Sequence, residues 1–296
     1  MRNRHSLVLS VLAVLCLPGA LCAAAGKVEP AKPAAARLSV TQILERHIAA
    51  RGGPQAWHGV HTMSWSGKLE VGYADSVARS QRYVSNAMIR SGKMQRMALL
   101  DAEKKAQMAK QVELPFVLEM KRPDKSRIEL EFAGNKAVQL YDGKEGWMKR
   151  PFLNRDDWEP FSAEQAKSQV GRWDLDGPLL DYAAKGTKVE LESVEKVEGN
   201  DAYKLKLTLA TGEVQHVWID ARSFLDVKIE GAPRRMDGRL HSVWVYQRDF
   251  RAEMGIMVPH VLETAVEGYP DTHKMFIEKV VLNANLDDSL FVRPRS

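Results

Sequence analysis

The sequence predicts a mainly β fold with a few helices. Side-chain polarity alternates with period two over most of the chain, turn residues separate those stretches at short intervals, and the helical period is confined to the start and the middle. The pattern predicts about eleven or twelve antiparallel strands. A sheet that wide must curl, close or be covered, because flat open sheets of such breadth are uncommon.

The first helix is expected after Ser39. Val40, Ile43, Leu44 and Ile48 recur at helical spacing, Ser39 is a suitable N-cap with Gln42 as its capping-box partner, and Gly52-Gly53 end the helix after Arg51. A short helical turn over 55–57 then leads into the sheet. From His61 the period becomes two. Trp65, Lys68 and Glu70 open a first strand, and Phe116, Leu118 and Met120 alternate with Val117, Glu119 and Lys121. After a turn at Pro123-Asp124, Ile128, Leu130 and Phe132 alternate with Arg127, Glu129 and Glu131, which gives a hairpin with one wet and one greasy face. Strands over 137–141 and 146–149 flank the turn Asp142-Gly143-Lys144. A helix over 161–172, capped by Ser162, and a shorter one over 179–184 follow. The last third reads as a meander, with strands over 188–197, 202–209, 214–220, 225–230, 240–250, 258–266 and 274–283.

Residues 1–25 have the pattern of a secretory signal peptide: Arg2, Arg4 and His5 precede an apolar run that ends at Pro18-Gly19. Residues 26–38, rich in Ala and Pro, suit a flexible tether. Residues 39–296 are expected to form a single domain with an insertion at about 73–111. Its Met- and Lys-rich part, 92–111, fits either a solvated surface loop or a flap over an apolar cavity. Cys16 and Cys22 both fall within the leader, so the exported protein is expected to hold no disulfide and no cysteine-bound metal. Export would place it in the periplasm.

Charge excludes little, but it does argue against nucleic acid. Without Arg2 and Arg4, 43 − 2 = 41 basic residues face 38 acidic ones, a net +3 that is ordinary for a solvated surface. Arg234, Arg235 and Arg239 make a local basic cluster, suited to solvent, a lipid headgroup or an acidic partner. There is no H-E-x-x-H, G-x-S-x-G, phosphate loop or G-x-G-x-x-G, and His47, His58, His61, His216, His241, His260 and His273 are scattered. No catalytic residue, metal ligand or cofactor is therefore expected, and the chain reads as a non-enzyme.

Several stretches in order resemble a known family. Ala50-Arg51-Gly52-Gly53 leads to Trp57 and a strand with Gly67-Lys68, and Lys121-Arg122-Pro123-Asp124-Lys125-Ser126-Arg127 follows. Next come Gln139-Leu140-Tyr141-Asp142-Gly143-Lys144-Glu145-Gly146-Trp147 and then Ile277-Glu278-Lys279-Val280 with Asp287-Asp288-Ser289-Leu290-Phe291. Together they are similar to the periplasmic LolA-like proteins, the outer-membrane lipoprotein-sorting group. The resemblance implies an incomplete antiparallel half-barrel wrapped around helices, with an apolar cavity that accepts lipid or lipoprotein acyl chains. The fold also serves receptors and stress sensors, so an interaction module is the alternative reading, and an enzyme acting on envelope lipids is the third.

On the carrier reading, the cavity is lined by the apolar strand phases Phe116, Leu118, Met120, Ile128, Leu130, Val138, Leu140, Leu205, Leu207, Val227 and Ile229. Trp65 and Trp147, with Trp218 and Trp244, suit its mouth, where a ring with one polar edge meets both acyl chain and water. Each of these residues equally suits an ordinary filled core. The expected partners are acyl chains and envelope membrane proteins, with no nucleic acid, and the protein is expected to be a monomer.

Overall fold

The computed structural model describes residues 38–71, 112–132, 134–151 and 155–294. The proposed leader, the tether up to residue 37 and the insertion at about 73–111 lie outside the described residues.

Helix α1 (Val40–Ala50) begins at Ser39, whose hydroxyl accepts from Gln42 N while the Gln42 side chain accepts from Ser39 N, so the expected capping box forms. Helix α2 (Pro54–His58) follows with Pro54 in its first turn, where a missing N–H costs nothing. Six strands come next: β1 (Thr62–Val71), β2 (Val112–Lys121), β3 (Lys125–Phe132), β4 (Asn135–Tyr141), β5 (Gly146–Arg150) and β6 (Arg155–Pro160). Helix α3 (Ala163–Gln169) and a turn-rich stretch over 170–186 precede the meander. The meander comprises β7 (Lys188–Val197), β8 (Asn200–Thr208), β9 (Val214–Asp220), β10 (Asp226–Met236), β11 (Arg239–Glu253), β12 (Ile256–Val266) and β13 (His273–Leu282). A final 3-10 turn spans Asp288–Phe291.

Among the described residues, thirteen strands join one antiparallel sheet in the order β6-β5-β4-β3-β2-β1-β13-β12-β11-β10-β9-β8-β7. It does not close, and β6 and β7 are its edges. The strand missing from the sequence reading is β6, whose Asp156-Asp157-Trp158-Glu159-Pro160 shows no alternation. An edge strand pairs on one side only and tolerates such a sequence, proline included. The predicted helix over 179–184 is also corrected: the chain there makes turns, and Leu179 and Leu180 are buried without a helical period. The predicted helix over 161–172 is shorter than expected, starting after the Ser162 capping box and ending at Gln169.

The register fixes which side chains share a face. Leu118 lies opposite Trp65, Gly67 opposite Ile277, Met275 opposite Leu262, Thr264 opposite Val245, Val245 opposite Ile229, Ile229 opposite Val217 and Val217 opposite Leu205. This inner face carries two cores. One joins α2 (Trp57), Val60, Leu175 and Leu180 to Met63, Trp65, Phe116, Leu118 and Met120. The other joins α1 (Ile43 and Leu44) and Leu179 to Leu205, Leu207, Val217 and Ile219. Gly67 has a specific role here: a Cβ at that position would sit 1.9 Å from the carbonyl oxygen of Phe276, so only glycine lets β1 and β13 come this close.

A polar knot ties the helices to the sheet. Arg122, just past β2, grips Asp176 with both guanidinium arms at 2.5 and 2.6 Å and also donates to the carbonyls of Val60 and Trp57. Burial pushes the Asp176 carboxyl up, but Arg122's hydrogen bond and charge outweigh it and leave the group below its ordinary range. A carboxylate whose folded value is depressed stabilises the fold fully above about pH 4, and that contribution fades as pH falls through the depressed value. Asp176→Asn is therefore expected to cost about 3 kcal/mol at neutral pH, the low end for breaking a buried pair. In urea titrations between pH 6 and pH 2, the variant should lose less stability on acidification than the parent; equal pH slopes would refute this role for the pair.

Candidate functional site

The residues expected to line a single cavity fall into three groups. Trp65, Phe116, Leu118 and Met120 belong to the first inner core, where Leu118 is wholly buried and Phe116 and Met120 nearly so. Leu205 and Leu207 are likewise fully enclosed under α1. These six act as packing. The second group, Ile128, Leu130 and Ile229, lies on the same inner face but is only half-buried. Leu69 and Leu262 extend this half-covered strip across β1 and β12.

The third group is on the other face, and this corrects the sequence reading. Val138 is directly opposite Glu129, Leu140 opposite Arg127, and Trp147 opposite Leu140, so all three point away from the helices. In β4 the apolar Val138 and Leu140 alternate with Ala137, Gln139 and Tyr141, and both phases look greasy. Only the pairing with β3 decides the face. The terminal 3-10 turn covers this outer face over β3 and β4, held by Lys121 Nζ at 2.7 Å and Lys125 Nζ at 2.8 Å from Asp288. Both lysines donate to that carboxylate and pull it down to about 2.

Val227 is displaced in the same way. An irregularity between Asp226 and Lys228 shifts the β9–β10 register, and Val227 joins an outer cluster with Trp218, Trp244 and Tyr246. There Lys228 Nζ stands over three rings, 4.3 Å from Trp218, 4.9 Å from Trp244 and 5.6 Å from Tyr246, and burial pushes its ammonium value down. Trp218 and Trp244, considered for a cavity mouth, therefore serve the opposite side.

Sequence reasoning missed the buried polar contacts. His47 Nδ1 lies 2.9 Å from the Phe224 carbonyl and its Nε2 3.5 Å from Asp226, while the Arg51 guanidinium carbon lies over the Trp57 ring at 4.1 Å and Arg51 donates to the Asp176 carbonyl. Some 177 residues separate His47 from Phe224, so no local motif signals the contact. Both His47 and Asp226 are sealed from solvent, which suits a structural tie rather than a reacting pair. Among the described residues no cluster of three or more metal-ligating side chains forms, and no helix is long and apolar enough to cross a membrane.

Several buried polar atoms lack a hydrogen-bond partner among the described residues, Trp65 Nε1 and Asp226 Oδ1 on the inner face among them. The indole N–H of Trp65 finds no acceptor among the described residues, although the ring is nine-tenths buried and meets Trp173 edge to face at 6.4 Å. A buried donor left unpaired is uncommon and calls for a reason.

An open antiparallel half-barrel with helices against one face is the LolA-like fold. No family model matches the sequence, and no curated protein does. Solved structures do. A candidate outer membrane lipoprotein-sorting protein domain from Vibrio parahaemolyticus superposes with a TM-score of 0.51 at 11% identity, covering 84% of this chain and 94% of its own. A DUF1329 family protein from Desulfovibrio piger gives 0.51 at 12% identity, over 86% and 98% of the two chains. A LolA superfamily protein from Nitrosomonas europaea gives 0.48 at 15% identity, over 87% and 99%. The first two carry the assignment of fold.

The division of the inner face into packed and half-covered parts makes a stability prediction. Leu118→Ala is expected to cost about 3 kcal/mol, as for a fully enclosed leucine, whereas Leu130→Ala should cost less than half as much. Chemical denaturation measures both, and a Leu130 loss equal to that of Leu118 would place Leu130 in the closed core.

Proposed function

We propose that the chain is a periplasmic binding protein for lipid or lipoprotein acyl chains, which lie along the half-covered strip of the inner face. The observation that carries this reading is the strip itself: Leu69, Ile128, Leu130, Ile229 and Leu262 are half-buried on one face, next to cores of buried side chains. Hydrocarbon leaving water for such a surface gains up to about 0.8 kcal/mol per methylene. No chemical step and no cofactor is needed for uptake or release. The leader-like N-terminus and the fold shared with lipoprotein-sorting domains agree with this assignment.

Native mass spectrometry and lipid extraction of the purified protein should find bound acyl lipid. With a fluorescent fatty-acyl probe, Leu130→Glu is expected to abolish binding by putting a charge in the strip. Glu129→Ala, one residue away on the outer face beside Arg127, should leave binding within twofold. Equal loss from both variants sinks the proposal, and a stable protein complex without lipid would favour an interaction module instead.

A further inference from the structure

Two of the three arginines at the β10–β11 hairpin belong to the inner face. β11 runs without irregularity from Arg239 to Val245, so Arg239, His241, Val243 and Val245 share that face with Ile229. Pairing then places β10: Arg234 lies opposite His241 and Met236 opposite Arg239, while Arg235, opposite Leu240, turns to the other face. The extra residue that β10 carries between Gly231 and Arg234 hides this assignment from a period-two reading. Inner positions along β10 therefore run Ile229, Gly231, Arg234. A member of the half-covered strip leads past a residue without a side chain to an arginine roughly 16 Å away, at about 3.3 Å per residue.

A third cation comes from the covering stretch. Arg172 is exposed, its guanidinium carbon 5.4 Å from the centre of the Trp173 ring, and Trp173 meets Trp65 of β1 on the inner face. Along the sheet, the four steps from β1 to β10 amount to roughly 19 Å at about 4.8 Å per step. Crowding by the surrounding chain pushes the Arg172 value down, and the Arg234 charge pushes it further. The two guanidiniums thus approach over the hollow of the sheet rather than along it. Among the described residues, no carboxylate stands within ion-pair distance of Arg172 or Arg239. The nearby acids are Asp237 in the hairpin turn, which accepts from the Tyr269 hydroxyl, and Glu267, which accepts from the Ser242 hydroxyl at 2.9 Å. Ser242 alternates with His241 and so belongs to the other face. On the inner side, then, three cations meet one carboxylate.

We infer that the strip takes acyl ligands with an anionic phosphate head, which docks on Arg172 and Arg234 with Arg239 beside them, the tail running past Gly231 onto the strip. This deepens the acyl-binding reading and rests on it. Guanidinium forks suit phosphate because each donates to two of its oxygens. A zwitterionic head brings its own cation into the cluster and forfeits most of that gain.

Calorimetric titration of the purified protein, below micelle-forming concentrations, compares lysophosphatidic acid with lysophosphatidylcholine carrying the same dodecanoyl tail, and with tailless glycerol phosphate. The acid should bind at least about tenfold tighter than the choline lipid, and glycerol phosphate at least about a hundredfold weaker than the acid. Arg172→Glu and Arg239→Glu, both at exposed positions, should each remove most of the preference while leaving the choline lipid within about threefold. Arg235→Glu, the same charge change on the opposite phase of the same hairpin, should keep the preference, because salt screens it from the inner face. Equal wild-type affinity for the two lipids overturns the head site and leaves the strip standing, whereas binding of neither lipid removes the strip and the head site together. A preference that survives in both Arg172→Glu and Arg239→Glu overturns the location. Equal loss in Arg235→Glu replaces docking by the general field of the hairpin, and glycerol phosphate binding as tightly as the acid makes the cluster a free-phosphate site unconnected with the strip; either result overturns the inference.

Discussion

The breadth of the sheet is the constraint on which the rest of the structure depends. Thirteen strands at about 4.8 Å spacing make a face on the order of 58 Å wide, whereas one helix with its side chains covers only about 10–12 Å. Two short helices and the turn-rich stretch over 170–186 therefore shield two patches, one across β2, β1, β13 and part of β12 and one over β8 and β9. What lies between and beyond them stays partly covered. The half-buried strip of Ile128, Leu130, Leu262 and Ile229 follows from this shortage of cover and needs no special sequence device.

Cover that sparse has to be pinned, and the pins are arginines. Arg122 reaches Asp176 and two backbone carbonyls at once, joining the end of β2 to α2 and to the 170–186 stretch. Arg51 stacks on Trp57, donates to the Asp176 carbonyl and lies 4.0 Å from Asp226. Burial pushes its guanidinium value down while Asp226 and Asp176 pull it back up. A planar fork that stacks and binds several oxygens suits these positions; a lysine offers one compact charge and no stacking surface. The knot connects the two inner cores through a common charged seam.

Much of the fold was legible because local chemistry and tertiary role agreed. The Ser39–Gln42 capping box, the Ser162 N-cap, the Asp142 turn and the alternation of β2 and β3 each dictate one local structure, and the tertiary contacts keep it. The failures share a cause. Val138, Leu140 and Trp147 sit in strands whose two faces are both apolar in places, and Val227 lies at a bulge, so period-two reading cannot choose a side without the register. Likewise β6 has no pattern because its neighbour and the edge position, not its own burial, hold it in the sheet. His47 and Asp226 meet only because the fold brings α1 against the first residue of β10, a long-range fact that no motif encodes.

The outer face is not a plain wet surface, and this changes how an inner ligand would be held. Trp218, Trp244 and Tyr246 around Lys228, and the 3-10 turn over Val138 and Leu140, stiffen the sheet from behind in two places. A ligand on the proposed inner strip would then meet a face backed by packed side chains in two places. Each methylene it brings covers only the part of Leu130 or Leu262 that the protein leaves exposed, so the gain per methylene falls below that of full burial. On the proposed reading, weak contacts repeated along the strip would favour transfer over storage, with an acyl chain taken up when water is the alternative and released when a better-covered site is near.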